Sequence, residues 1–269
     1  MKKYLKIVSV CLILTIISVS IVLYYPIHKN SINLSDGRLS YKYLKSVTVV
    51  IEGKGLIEKK YINEITNEEI TDYKIMEWVG TGIIVKITKD DIYIITNNHV
   101  AGNHPYINIK YPVVYVLNNE KMETAEIISN HPDYDVALIK IPNVLSDKRV
   151  IIGFNTAKIQ DKAYMVGTSL GDPYIYSEGC LAGKIDEFDL YQLPTMPGNS
   201  GSGVFNVKGE ITGLIFAGRG INIFLQDIVY GIAIDSMIIK DFLIKEEVLK
   251  NEKELSRAIT YATYSLNFK

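Results

Sequence analysis

Cysteine, tryptophan and histidine are scarce in this 269-residue chain, which holds two cysteines, one tryptophan and four histidines. Cys11 lies in an N-terminal apolar run and Cys180 far along the chain. A bridge would tie that run to the distal body, so the chain is read as disulfide-free and its redox compartment stays open. The scattered histidines and cysteines have no zinc-type spacing, and neither a metal nor another cofactor is expected. An excess of either charge is also missing: 29 Lys and Arg face 30 Asp and Glu, for a formal net charge of −1. No broad positive field exists to recruit a polyanion, which argues against a nucleic-acid partner. Short-period repeats and low-complexity tracts are absent too. What remains is 48% hydrophobic and 22% charged, globular values in a chain long enough to bury a sizeable core.

The first feature present is an uncharged run from Ile7 to Tyr25. Its 19 residues, at about 1.5 Å rise each, approach the roughly 30 Å hydrocarbon thickness of a bilayer. Lys2, Lys3 and Lys6 precede it, and Tyr24 and Tyr25 stand where interfacial aromatics anchor. The pattern predicts a single-pass transmembrane signal-anchor over residues 1–28. The lysines would stay in the cytoplasm and the rest would lie outside it, at the cell surface or in the periplasm. A cleaved signal peptide competes, but no A-x-A-like site precedes Pro26. A buried core helix fits less well because the run is apolar all round. Lipid attachment at Cys11 lacks the small residues expected before it. Residues 29–43 are polar and turn-rich and read as a juxtamembrane linker.

From about residue 44 the chain reads as β. Short runs such as SVTVVIE, GTGIIVKI, DIYIITN, DVALIKI, AYMVGT and DIVYGIAI alternate with Gly, Asn, Asp and Pro, which points to a sandwich or barrel. The more polar segment from Glu58 to Glu77 reads as a long loop between early strands. Helical periodicity comes late, over Ser236–Leu243 and again from about Lys245 to Ile259. The 19 tyrosines scatter through strands and read as β-packing, and Cys180 as a small buried apolar residue. His28, His104 and His131 are assigned no role.

Three segments carry chemistry: Ile94–Ala101 with Gly80-Thr81-Gly82 upstream, His131–Ile139, and Pro197–Phe205. In the third, glycines flank Ser200. Glycine is costly in a strand interior, so it marks a sharp turn or a close backbone approach. A serine nucleophile needs such a turn, so that its Oγ is presented and N–H groups, here those of Gly198 and Ser200 around Asn199, converge on a developing oxyanion. The alternative is a glycine-rich hairpin. A nucleophile elbow of the α/β-hydrolase type would need a helix after the serine, whereas Gly203–Asn206 reads as a strand. The weak nucleophile needs a base, and His99 ends an apolar strand at a turn. The base needs an orienting acid, and Asp135 opens an apolar strand. Taken singly, a structural histidine and a strand-start aspartate are the blander readings. The chain order His…Asp…Ser separates the set from the Ser…Asp…His and Asp…His…Ser arrangements.

ITNNHVA, YDVALIKI and PGNSGSGVF closely resemble the three catalytic blocks of trypsin-like serine proteases, above all the HtrA/Deg-type bacterial branch. GEITGLIFAG and YGIAIDSMIIKDFL resemble its later strands and final helix. The resemblance spans residues 44–245. It implies an all-β fold of two six-stranded antiparallel β-barrels, chymotrypsin-like, with a C-terminal helix, preceded here by the transmembrane helix. By resemblance His99 is the general base, Asp135 orients it and Ser200 forms an acyl-enzyme on a protein or peptide substrate. Substrate-binding positions would be Thr195, Met196 and Pro197 before the serine, and Leu214, Ile215, Phe216 and Ala217 along the next strand. None is acidic, which favours a small or medium apolar side chain before the cleaved bond. Asn199 stands where digestive relatives have Asp, so no zymogen cleavage is expected. About 25 residues follow Leu243, too few for the PDZ domain usual in that branch. The tail 246–269 is expected to be helical, packing on the barrel or mediating homo-oligomerisation. A catalytically silent peptide-binding or adaptor module is the alternative from another class, and a covalent serine probe separates the two.

Overall fold

The computed structural model of the protein describes residues 37–62, 68–118, 121–145, 148–220 and 228–249. The described chain opens at Leu39 and the short helix α1 (Tyr41–Val47). Leu39 and Tyr43 are buried, although both belong to the expected linker, so folded packing starts ahead of residue 44. β1 (Thr48–Ile62) pairs antiparallel with β2 (Glu69–Ile87) along its whole length, from Thr48 opposite Ile83 to Ile62 opposite Glu69. β3 (Asp91–Thr96), β4 (Ile109–Asn118), β5 (Lys121–Thr124), β6 (Glu126–Asn130) and β7 (Ala137–Pro142) complete the first sheet, in the order β5-β4-β1-β2-β3-β7-β6. It is a nearly closed barrel of seven strands. The expected six is corrected by β5, which folds back on β4 with Thr124 opposite Tyr115.

The second barrel is closed and six-stranded, as expected. It comprises β8 (Lys162–Ser169), β9 (Asp172–Ile185), β10 (Phe188–Gln192), β11 (Gly203–Phe205), β12 (Ile211–Gly220) and β13 (Ile228–Asp235), joined as β10-β13-β12-β11-β8-β9. Helix α2 (Ser236–Lys245) follows at once, its N-terminus capped by the Asp235 carboxylate, which accepts from Met237 N at 2.7 Å. The helix stops where Glu247 turns left-handed, φ 59°, and Val248 N reaches back to Leu243 O at 2.9 Å. The rest of the tail, from 250, and the predicted anchor over residues 1–28 lie outside the described residues. Among the described residues no helix is long and apolar enough to cross a membrane.

The segment read as a loop, Glu58–Glu77, is instead largely the far end of the β1–β2 hairpin. Both of its faces meet solvent there, so it shows no apolar alternation. Cross-strand charges support it: Lys60 pairs with Glu69 at 2.8 Å, and Glu58 with Lys110 of β4.

One apolar cluster joins the barrels. It contains Leu39, Tyr43, Leu44 and Val47 of the N-terminal segment, and Ile83, Val85, Ile95, Val136 and Leu138 of the first barrel. From the second half come Tyr164, Val166, Phe205, Leu214 and Ile234, with Ile239, Phe242 and Leu243 of α2. The Tyr43 hydroxyl, buried, donates to Gly209 O at 2.8 Å, which ties α1 to the β11–β12 turn. In that turn Glu210 Oε2 accepts from Asn155 Nδ2 at 2.7 Å and Asn206 Nδ2 at 2.8 Å. These two bonds hold the Glu210 carboxyl below its ordinary range. Its stabilising contribution is therefore present above the ordinary carboxylate pKa and lost as pH falls through the depressed folded value. Glu210→Gln should cost about 1 kcal/mol at neutral pH, a charge-assisted pair discounted for exposure. The melting-temperature gap to the parent should close as pH falls through the depressed folded value of the Glu210 carboxyl.

Candidate active site

β3 runs out at Thr96 into a single helical turn, in which Ala101 N donates to Asn97 O at 3.0 Å and Asn103 N to Asn98 O at 2.9 Å. His99 stands on this turn, half-buried. The two asparagines before it grip the segment that leads into β7. Asn97 Nδ2 donates to Asp135 O at 2.7 Å and Asn98 Nδ2 to Tyr134 O at 3.0 Å. His131 shapes that segment from within, its Nδ1 accepting from Asp133 N at 3.1 Å and Tyr134 N at 3.2 Å. Burial pushes the His131 imidazole below its ordinary pKa, which suits a ring nitrogen that accepts. These three side chains were not singled out from sequence. The available signal was two Asx residues ahead of His99, the type that bonds nearby backbone at turns.

The result is an aspartate bound twice to one histidine. Asp135 Oδ1 accepts from His99 N at 3.0 Å, and Oδ2 lies 2.6 Å from His99 Nδ1. An ionised carboxylate only accepts, so Nδ1 carries the proton and Nε2 is left as the ring's acceptor.

Ser200 comes from the second barrel, on the turn between β10 and β11. Its flanking glycines are required twice over. Gly198 and Gly201 have φ of 96° and 84°. A Cβ on Gly198 would lie 2.0 Å from Thr168 O, and one on Gly201 would lie 1.9 Å from Thr81 O. Asn199 is fully buried, its Oδ1 accepting from Ser169 Oγ at 3.1 Å. Asn199 N is spent on Met196 O at 3.0 Å, whereas Gly198 N and Ser200 N bond no acceptor among the described residues. Those two are the N–H groups expected to converge on an oxyanion.

Thr81, fully buried on β2, joins this turn to the first barrel. Its N–H donates to Ser200 O at 2.8 Å and its hydroxyl to Gly198 O at 3.0 Å. The same hydroxyl accepts from Thr168 N at 3.0 Å, and Thr81 O accepts from Thr96 Oγ1 at 2.7 Å. Beside it, a Cβ on Gly80 would meet Val100 Cγ1 at 2.6 Å and Ser200 O at 3.3 Å, so the His99 and Ser200 turns converge on one glycine. Ser200 Oγ makes no hydrogen bond to His99, a contact that in such sites often tightens only in the complex with substrate.

A cleft of about 580 Å³ opens beside His99 and Asp135, walled by His104, Tyr106, Tyr134, Phe216 and Ala217. Phe216 packs against Phe188, ring centroids 4.9 Å apart and planes tilted by 50°. Burial, and then the neighbouring His99, push the His104 imidazole below its ordinary pKa. Of the other expected substrate-binding residues, Leu214 and Ile215 are buried in the apolar clusters. Thr195 is buried with its hydroxyl on Leu193 O at 3.0 Å. Met196 is half-buried, and Pro197 is exposed with its carbonyl held by Leu170 N at 2.7 Å. The structure thus brings Phe216 and Ala217 to His99, and leaves Leu214 and Ile215 to the core. Among the described residues no cluster of His, Cys, Asp or Glu could hold a metal ion.

A family model described as "Trypsin-like peptidase domain" matches residues 80–214. A protein described as "Serine protease HtrA-like" from Staphylococcus haemolyticus is 26% identical over 194 residues, covering 64% of this chain and 29% of its own length. One of the same description from Staphylococcus aureus is 27% identical over 159 residues, covering 52% of this chain and 20% of its own. The chain thus spans less than a third of the length of these curated relatives. Among solved structures, "HtrA-type protease AlgW with decapeptide" superposes with a TM-score of 0.57 at 15% identity, over 77% of this chain and 67% of that one. A serine endoprotease from Yersinia pestis gives 0.54 at 19%, over 77% and 66%. At these identities the superpositions show a shared fold.

The Thr81 contacts yield a prediction. Thr81→Val keeps the shape but strands Thr168 N and Gly198 O, and should lower turnover by roughly ten- to a hundredfold through a misplaced Ser200 turn. Thr81→Ser should stay near the parent, with both rates read on a chromogenic peptide or ester.

Proposed function

The chain belongs to the trypsin-like peptidase family, and on that premise we propose that it is a serine endopeptidase working through His99, Asp135 and Ser200. One observation carries the reading: the two hydrogen bonds that Asp135 accepts from His99, at ring and backbone, on the turn that shares Gly80 with the Ser200 loop.

Ser200 Oγ attacks the scissile carbonyl carbon as His99 Nε2 takes its proton. Asp135 holds the ring in the required tautomer and offsets the charge of the imidazolium. The N–H groups of Gly198 and Ser200 receive the oxyanion. The tetrahedral adduct collapses, the C–N bond breaks, and the amine leaves with the proton from His99. Water, deprotonated by His99, then attacks the acyl-enzyme, and the acid product departs with Ser200 restored.

The neutral Asn199 has its acceptor already used by Ser169 and needs no cationic N-terminus as counter-charge. The enzyme is accordingly active without zymogen cleavage. The cleft beside Phe216 and Ala217 takes the acyl half of a peptide, and the absence of acids from 194–196 and 214–218 favours a small or medium apolar residue before the cleaved bond. The uncharged run over Ile7–Tyr25 supports a membrane anchor with the catalytic body outside the cytoplasm.

Hydrolysis of a denatured protein substrate by the untrimmed chain tests this. Ser200→Ala and His99→Ala should each lose about 10⁴–10⁶ in kcat, and Asp135→Asn about 10⁴, with folding intact by circular dichroism. A folded parent chain that cleaves nothing and binds peptides equally well with Ser200→Ala would favour the adaptor reading. Full activity only after N-terminal trimming would overturn activation-free catalysis.

A further inference from the structure

The only tryptophan, Trp78, sits on β2 three residues before Thr81 and belongs to no motif read from the sequence. Its indole covers Gly53, its cross-strand partner on β1. A Cβ added to Gly53 would fall 2.1 Å from Trp78 Cε2 and 2.4 Å from Nε1. The ring therefore occupies space that only a glycine at 53 leaves open. Cζ2 on that same edge lies 3.6 Å from where a Cβ on Gly102 would stand, at the end of the His99 turn. From this seat Nε1–H donates to Val100 O at 2.8 Å.

Val100 follows His99 directly, and its side chain packs against Gly80, the glycine that also touches Ser200 O. The His99 turn is thus held from two sides. Asp135, Asn97 and Asn98 tie it to the β6–β7 segment, and Trp78 ties it to β2, the strand that positions the Ser200 turn through Thr81. The bonds to Asp135 orient the imidazole but leave the turn's distance from Ser200 to the β2 side.

We propose that Trp78 is a positioning residue, whose indole N–H sets the placement of the His99 turn against the Ser200 turn. This rests on the serine-peptidase reading above. No reacting atom is touched. The effect passes through the Val100 carbonyl, so it falls on the rate of proton transfer from Ser200 and not on substrate affinity.

The test must separate the N–H from the ring. The ring also walls a groove of about 450 Å³ with Glu52, Lys54, Val79, Tyr115 and Met122, so truncation to Ala would alter more than one thing. Trp78 is replaced in the full chain by 3-benzothienylalanine, which has the indole's shape with sulfur in place of N–H. Two readouts need no groove contact: the rate of labelling by a small fluorophosphonate, and kcat and KM on a small ester. Both the labelling rate and kcat should fall roughly ten- to a hundredfold with KM and melting temperature near the parent. Gly53→Ala, which dislodges the indole from beneath without altering Trp78, should reproduce the kcat loss. Parent-like labelling and kcat in the benzothienyl variant would overturn the positioning role while leaving the peptidase reading intact. A parent chain that neither labels nor turns over ester would overturn both.

Discussion

The site depends on one buried residue of the first barrel holding the backbone of a turn in the second. Thr81 spends its N–H on Ser200 O, its hydroxyl on Gly198 O and Thr168 N, and its carbonyl on Thr96 Oγ1. A serine and a histidine on separate barrels can act together only if their separation is fixed to within a fraction of an ångström. Hydrogen bonds from a fully buried, β-branched side chain provide that. Such a side chain has few rotamers to lose, and its partners would be costly to leave unpaired. The carbonyl of Thr81 also sits where any Cβ at Gly201 would have to go, so the same contact dictates the residue after Ser200.

A short seam of hydrogen bonds would not by itself keep two barrels in register. The apolar cluster beneath it does so. α1 contributes Tyr43, Leu44 and Val47, and α2 contributes Ile239, Phe242 and Leu243, to a core that both barrels share. Among the described residues, those just before β1 and just after β13 are therefore part of the platform under the candidate site. The Tyr43 hydroxyl on Gly209 O adds a polar fixing point on the second-barrel side. Chemistry sits above this platform on turns, and the platform supplies their rigidity.

The legible part of the sequence was the part where chemistry restricts residue type. Glycines around Ser200 announced a turn that no Cβ could enter, and the strands before His99 and after Asp135 showed their apolar runs. Less legible was whatever depended on tertiary neighbours. The far β1–β2 hairpin is wet on both faces, so it had no period to read. Gly179 on β9 is required by a neighbour on β10, since Gln192 O lies 1.8 Å from the Cβ position. Tyr43 reads as linker because the partners of its hydroxyl, Gly209 O and Ile152 N, lie over a hundred residues away. Leu214 and Ile215 lie on the strand that borders the cleft, yet burial on both faces of that strand leaves only Phe216 and Ala217 of the four to line the cleft. Asn97, Asn98 and Trp78 act on backbone carbonyls, and nothing local to them names those partners.

The most direct test of the assembled site is to find where a covalent serine reagent lands. The full chain is treated with a fluorophosphonate, digested and sequenced by tandem mass spectrometry. The account predicts one phosphonyl group, on Ser200 within PGNSGSGVF, absent when His99 is replaced by Ala. An adduct on Ser202 or Ser169, or one on Ser200 that survives loss of His99, would contradict it.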